Sequence, residues 1–341
     1  MMEDHKIRNM EEFSAASGIS RPTVSKYFND PTSVRPSTRE RIEHAIAKYD
    51  YRPNLYAINQ NRKATRSIGV IVPHALDPFF AEVVRQIEQS CFQAGYRAVV
   101  LSSHGDPERE LGVLDLLHSM RIGGALIAPL GAASNVERLH KFSDDVPTVT
   151  FDSHLNGPQA FVGTDNFQSI GVIVDYLCRS GEPPFFVDLP TSNSNREERR
   201  DAYIRAMEAQ ALQPQVIHTP EDGWDFEEAG FRIGSQLIER RALPTMTALC
   251  ANDRVAIGLI AAAYDKGLRI GRGPGFALRV AGHDDHPMAR FTTPALTTVA
   301  QNFQGIADTS LAILFDMIEG GAGMPGRREQ IEGKLVLRAS A

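Results

Sequence analysis

The sequence predicts an α/β protein: an N-terminal helix-turn-helix headpiece followed by a two-lobed body of doubly wound parallel sheets. Three observations point there. Two short helical segments break at Gly18; from Ile68 onward short apolar runs alternate with amphipathic stretches; and the alternation restarts after Gly163-Thr164-Asp165. At 341 residues the chain exceeds the size at which one hydrophobic core stops growing, so two or three packed units are expected.

In the headpiece, Phe13, Ala16 and Ile19, then Val24, Tyr27 and Phe28, fall at helical spacing on either side of Gly18. Glycine accepts a left-handed turn without steric cost. Asn9 with Glu12 three residues on forms a capping box for the first helix, while Ser20 can cap the second and Pro22 suits its first turn. The second helix therefore starts near Arg21. In such a motif the N-terminal residues of the second helix face base edges in the major groove, which makes Arg21, Pro22, Ser25 and Lys26 the candidate readers. Thr23 and Asn29, with the helix amides, are expected to hold phosphates, which fix register without reading sequence.

Charge is distributed to match. The formal net charge is −6, yet residues 1–66 carry 12 Lys/Arg against 8 Asp/Glu, and the remainder 24 against 34. Arg52, Arg62, Lys63 and Arg66 lie in a stretch with no acid, an electrostatic footprint for phosphate.

In the body, 68–73, 98–101, 124–129 and 146–151 read as buried strands with helices over 79–94, 108–119 and 136–142 between them. The second series runs helix 168–179, strand 185–189, helix 198–209, strand 216–218, helix 226–239, strand 247–251, helix 254–266 and strand 278–281. Ligands of open parallel sheets sit beyond the carboxyl ends of the strands. Phe79, Phe80, Asp152, Asn252, Asp284 and Gln301 each follow such a strand. Carboxylates and amides can exchange several hydrogen bonds with adjacent hydroxyls, and an aromatic ring can cover an apolar sugar face.

Other patterns carry less. Cys91, Cys178 and Cys250 are far apart and form no Cys-x-x-Cys pair, which argues against a disulfide framework or thiolate metal site. His283-Asp284-Asp285-His286 resembles a metal cluster, but consecutive loop positions rarely point into one coordination sphere; no metal is expected. The run Gly271–Gly275 precedes a strand instead of opening a helix, so it reads as a surface loop or lid and not a nucleotide loop. No nucleophile elbow, phosphate loop or paired general acid and base stands out, so neither catalysis nor a cofactor is expected. The start Met1-Met2-Glu3-Asp4-His5 lacks a basic, apolar leader and no run approaches eighteen apolar residues, so a cytoplasmic protein without membrane contact is expected.

The chain resembles the lactose-repressor and galactose-repressor family of bacterial transcription regulators. The resemblance rests on Gly18-Ile19-Ser20 with Thr23-Val24-Ser25-Lys26 and Asn29, on Thr38-Arg39-Glu40-Arg41-Ile42 with Tyr51-Arg52-Pro53-Asn54, and on Ile68–Pro73 with Asp77–Glu82. Asp106–Glu110, Asn252-Asp253 with Ala256-Ile257-Gly258, Gly282–Asp285 and Leu296–Gln301 extend it over nearly the full length. It implies a headpiece at 1–53, a hinge at 54–66 and a periplasmic-binding-protein-like body at 67–341. The body divides into an N-lobe of about 67–165 and 298–325 and a C-lobe of about 166–297 and 326–341.

It further implies a regulator, a repressor by expectation, whose affinity for a palindromic double-stranded operator is set by a small sugar-like effector. A transporter's solute-binding protein and an α/β enzyme acting on a sugar are the alternatives; the first is at odds with the headpiece. By resemblance Phe79, Phe80, Asp152, Asn252, Asp284 and Gln301 match effector-contacting positions, and Trp224 the aromatic that packs on the ligand. Arg196 is preferred over Arg199 as the effector-binding arginine. The hinge of this family folds as a short helix that wedges a leucine into the minor groove; Gln60 stands there, which puts kinking in doubt and leaves a plain linker open. Arg35 replaces the serine that caps the third helix in relatives, so Ser37 with Glu40 is expected to serve as a shifted capping box. With no heptad tail after Arg338, a homodimer is expected over a tetramer.

Overall fold

The computed structural model describes residues 7–29, 31–52, 65–155, 157, 159–190, 194–219, 223–321 and 326–341. Gln60, Arg62 and Lys63 of the expected hinge lie outside them. The chain divides into two compact units between Thr65 and Arg66.

The headpiece holds α1 (Met10–Ser17), α2 (Arg21–Asn29) and α3 (Pro36–Tyr49), with one 3-10 turn at Pro31–Ser33. Asn9 caps α1, its side chain accepting from the Glu11 and Glu12 amides, and Gly18 leaves the helix at φ 65°. Phe13, Ile19, Val24, Ile42, Ala45 and Tyr51 form the core, with Phe13 stacked on Tyr51 at 4.4 Å. Ser20 Oγ meets Thr23 Oγ1 at 2.7 Å. The third helix differs from expectation. It begins at Pro36, with Arg35 in the capping position and no side-chain cap; proline at the first turn supplies a preset φ and lacks the amide a cap would satisfy.

The body opens with β1 (Ser67–Val72), α4 (Pro78–Gln93), β2 (Arg97–Ser102), α5 (Pro107–Ser119), β3 (Gly124–Ile127), α6 (Val136–Asp145), β4 (Thr148–Phe151) and β5 (Ala160–Thr164). It crosses over through α7 (Asn166–Ser180) to β6 (Phe185–Val187), α8 (Ser194–Glu208), β7 (Val216–Ile217), α9 (Phe226–Glu239), β8 (Thr247–Cys250), α10 (Asp253–Asp265) and β9 (Arg279–Ala281). Then follow β10 (Thr298–Ala300), α11 (Phe303–Ile318), β11 (Arg328–Ile331) and β12 (Lys334–Val336).

The N-lobe sheet has the order β11-β5-β4-β3-β1-β2 and the C-lobe sheet β7-β6-β8-β9, all neighbours parallel. Both faces of the first sheet are covered: one by Phe80, Val83, Ile87, Ile306 and Leu311, the other by Leu114, Leu117, Leu139 and Phe142. Strands buried on both faces read as continuous apolar runs, which is why β1 was legible.

Two lobe boundaries move. Residues 328–331 extend the free edge of β5, with the Asp165 amide donating to Ile331 O at 2.9 Å, so this stretch belongs to the N-lobe sheet. Conversely β10 pairs antiparallel with β12 and bridges to β9 through Ala281 and Thr297, on the C-lobe side. The polar, half-exposed sequence Arg328-Glu329-Gln330-Ile331 is what an edge strand requires and carries no apolar run to announce it.

Candidate functional site

The loops at the carboxyl ends of strands from both lobes converge on one pocket of about 370 Å³, counting the solvent at its open mouth. From the N-lobe, Asp77 caps α4 by accepting the Phe79 amide at 2.9 Å, which sets Phe79 and Phe80 at the rim; Asp152 follows β4. From the C-lobe come Leu189 beyond β6, Asn195 and Arg199 on α8, and Trp224 and Phe226 at the start of α9. Asn252 after β8, Asp284 after β9 and Gln301 after β10 complete the lining. Asn252 caps α10 with its Oδ1 on the Val255 amide. Asp152 and Asp284 hold positive φ angles of 62° and 120°, uncommon for residues with a side chain and concentrated where a fold must aim a group at a ligand.

The polar groups form a network. Arg199 is 4% exposed and donates to Asn166 Oδ1 at 3.0 Å and Ala251 O at 2.9 Å, with Nη2 at 3.2 Å from Asp284 Oδ1. The same carboxylate accepts from Gln301 Nε2 at 2.7 Å and lies 2.9 Å from His283 Nδ1. Gln301 in turn accepts from the Thr164 hydroxyl. Burial works to raise Asp284, but Arg199, His283 and Gln301 hold its carboxyl below the ordinary range. Asp152 lacks that balance: burial pushes it up to about 7, opposed by Arg199 and the Asn195 amide. Burial pushes His283 down to about 4, leaving a neutral ring wedged between Asp284 and Ser169. Behind the wall, burial and the neighbouring Asp284 charge raise Asp253 to about 8; it accepts from Thr298 Oγ1 and the His286 amide and ties α10 to the crossover.

Several contacts bridge the lobes. Arg254 on α10 reaches Asp77 at 2.9 Å while gripping Glu227 of α9 through two bonds of 2.7 and 2.6 Å. Glu227 and Arg254 can meet because α9 and α10 pack backbone to backbone: a Cβ on Gly258 would lie 2.0 Å from Glu227 O. Asn195 donates to Asp152 at 2.8 Å, His154 meets Glu198 at 2.9 Å, and the His74 ring lies 4.7 Å from that of Trp224. Trp224 packs against the apolar clusters of both lobes. The cleft is closed.

Seven of the eight effector positions named from sequence line this cavity; Arg196 does not. Arg196 turns away, donating to Leu189 O at 2.8 Å and pairing with Asp188 at 3.3 Å, and Arg199 takes the place beside Asp284. The reason is helical phase. With α8 starting at Ser194, the residue one turn after cavity-lining Asn195 is Arg199. Asp77, Leu189, Asn195 and Phe226 also line the cavity and are not among the sequence candidates, although Asp77 before Pro78 carries the signal of a capped helix start after a strand. In the His283–His286 run, Asp285 pairs with Arg338 at 2.6 Å and His286 Nδ1 accepts from the Met288 amide, so the four side chains take different partners. Among the described residues no group of three His, Cys, Asp or Glu could hold a metal ion.

In the headpiece, Arg21, Pro22 and Lys26 are exposed at the start and outer face of α2, with Thr23 and Ser25 half-buried beside them. Arg21 and Lys26 form no ion pair among the described residues. The backbone of Asn29 ends α2, while its side chain lies outside the described residues.

Residues 9–54 match the family of bacterial regulatory proteins, lacI family, and residues 166–341 match the periplasmic binding protein-like domain. The chain belongs to the lacI family of bacterial regulators. The HTH-type transcriptional repressor PurR of Haemophilus influenzae is 27% identical over 311 residues, covering 91% of this chain and 90% of that one. PurR of Histophilus somni is 26% identical over 335 residues, covering 97% and 98%. Among solved structures, a lac repressor dimer bound to operator and the anti-inducer ONPF superposes with a TM-score of 0.84 at 24% identity, covering 98% of this chain and 99% of that one. A periplasmic binding protein/LacI regulator from Alkaliphilus metalliredigens, complexed with D-xylulofuranose, gives 0.70 at 22% identity and covers 81% and 99%. These two likenesses concern the fold. This lacI-family member is a transcriptional repressor with a ligand-binding effector body and not an enzyme. No helix among its described residues is long and apolar enough to cross a membrane.

Proposed function

We propose that this repressor binds a palindromic operator as a homodimer and that its operator affinity is set by a small polyhydroxylated effector, a sugar or sugar derivative, held between the lobes. The observation that carries the reading is the cavity itself: aromatic faces from Phe79, Phe80 and Trp224 oppose a polar wall in which Asp152, Asn252, Asp284 and Gln301 offer both acceptors and donors. Adjacent hydroxyls on an apolar ring satisfy both walls at once. The D-xylulofuranose complex of a protein with this fold is in keeping with it.

Arg21, Pro22, Ser25 and Lys26 read bases, while Thr23, Asn29, Arg62 and Lys63 contact phosphates and Gln60 faces the minor groove. Two such helices related by a dyad need inverted half-sites about one helical turn apart. Effector binding biases the open and closed populations of the body and so the DNA-competent state of the dimer.

The test is selection of binding sites from random DNA, followed by mobility-shift titration of the selected site with a library of sugars. A palindromic consensus and a sugar that changes operator affinity are expected. Enrichment of direct repeats would defeat the dyad reading, and a library in which only non-sugar metabolites act would defeat the effector class.

A further inference from the structure

The cleft is rich in polar groups yet poor in available positive charge. Among its described lining residues three are carboxylates, Asp77, Asp152 and Asp284, and one is a cation, Arg199. An adjoining recess adds Arg254 and His286. Neither arginine is spare. Arg199 commits each of its three guanidinium nitrogens to a partner, Asn166, Ala251 and Asp284. Arg254 is divided between Asp77 and both oxygens of Glu227. Arg196 and Arg200, next along α8, both face the buried carboxylate of Asp188.

We infer that the cleft selects an uncharged polyol and rejects its phosphorylated or carboxylated derivatives. The inference rests on the effector site proposed above and deepens it by fixing the charge of the ligand. A phosphate or carboxylate entering the cleft would meet the Asp284 carboxylate, and those of Asp77 and Asp152 in their ionised forms, in a partly buried site where like charges are screened less than in bulk water. To be held, it would have to share Arg199 with Asp284 or Arg254 with Asp77, in each case weakening the pairing of a buried carboxylate, which is costly in a buried site. Hydroxyls carry no such penalty. They donate to Asp152 and Asp284 and accept from the Asn252 and Gln301 amides without displacing either guanidinium. The histidines at the cleft add no lasting charge: burial lowers both His74 and His286, which favours their neutral forms.

The sequence supplies its own probe, because Trp224 is the only tryptophan and lines the cavity. Trp224 fluorescence of the full chain is titrated with matched pairs: neutral monosaccharides and disaccharides against their phosphate esters and uronic acids, and nucleosides against nucleotides. The expected result is a saturable change with a neutral compound, its anionic counterpart binding roughly tenfold more weakly or worse. A response confined to neutral nucleosides upholds the charge selection while overturning the sugar reading. Tighter binding of any phosphate or carboxylate than of its neutral parent overturns the inference and leaves the site itself standing. Asp152→Asn adds a second measurement. Measured at pH 8, where most of Asp152 is ionised, removing this repelling carboxylate should narrow the gap between a sugar and its phosphate severalfold, and a widened gap counts against the proposal.

Discussion

Asp77, which caps α4 in the N-lobe, and Arg254, on α10 in the C-lobe, meet at 2.9 Å across the mouth of the cleft. The carboxylate belongs to the loop that sets Phe79 and Phe80; the guanidinium is braced from behind by Glu227 and lies 4.9 Å from the Phe226 ring. Closure of the lobes therefore carries an ion pair of its own. Burial raises Asp77, and Arg254 opposes that rise, as expected of a carboxylate whose comfort depends on one partner.

Arg254→Met should weaken closure while keeping the apolar stem against Phe226. Asp77 and Glu227, both contacts of Arg254, would then be left without the cation that joins them. The radius of gyration of the effector-free protein should increase in small-angle scattering, and effector affinity should fall by about tenfold because the ligand must now drive closure unaided. Unchanged scattering and affinity would show that Trp224, Asn195 and His154 hold the lobes together without the latch.

Arg21→Ala should relax base preference within each half-site at a cost of roughly 1–3 kcal/mol, the worth of a bidentate contact to a guanine. Arg21 is exposed at the first residue of α2, and headpiece stability should barely change. A sequence-by-sequence binding profile decides: uniform loss across all sites would make Arg21 a phosphate contact and move the reading role to Ser25 and Lys26.

Asp284→Asn should abolish the effector response and leave operator binding of the folded protein largely intact. It removes the charge facing buried Arg199, so a loss of body stability of about 3 kcal/mol is expected as well. Calorimetric titration with the effector is the check, alongside a melting curve. Retained affinity would remove Asp284 from the site, whereas retained stability would show that Asp152 can take over the guanidinium.

How much of this was legible in the sequence depended on whether the signal was local. The headpiece could be read because Gly18 and the apolar spacing from Phe13 to Phe28 lie within a few turns of each other. Asp152 and Asn252 could be found because a buried strand announces its own end. Arg196 against Arg199 could not be settled, since the choice hangs on where α8 begins, and Thr191, Ser192, Asn193 and Ser194 are all good capping residue types, so the sequence singles out no one start. The strand 328–331 was hidden for a different reason. An edge strand buries little, and its place beside β5 is set by a partner more than 160 residues away in the chain. The Asp77–Arg254 latch is hidden in the same way, because each residue looks like an ordinary helix-start charge until the lobes are brought together.

Asp152 has a folded-state value near 7, well above an unfolded aspartate, because burial disfavours its charge. A raised carboxyl contributes stability that is fully present below the unfolded value and is lost as pH rises through the folded one, so the share of body stability due to Asp152 should fall from about pH 4 to pH 7. Asp253, raised to about 8, acts in the same direction, and so does His154, raised chiefly by its hydrogen bond to Glu198, whereas His283, lowered to about 4 by burial, acts in the opposite one, so the difference between wild type and Asp152→Asn is what is read. Asp152→Asn should flatten only its own share of the slope. Hydroxyls donating to Asp152 favour its ionised form, so effector binding near pH 7 should release a fraction of a proton. Calorimetric titrations at that pH in two buffers of different ionisation enthalpy measure the release directly, and Asp152→Asn should remove it. Uptake of a proton on binding would mean that Asp152 stays neutral and donates its own hydrogen to the ligand, reversing the roles assigned here to the carboxyl and the hydroxyl.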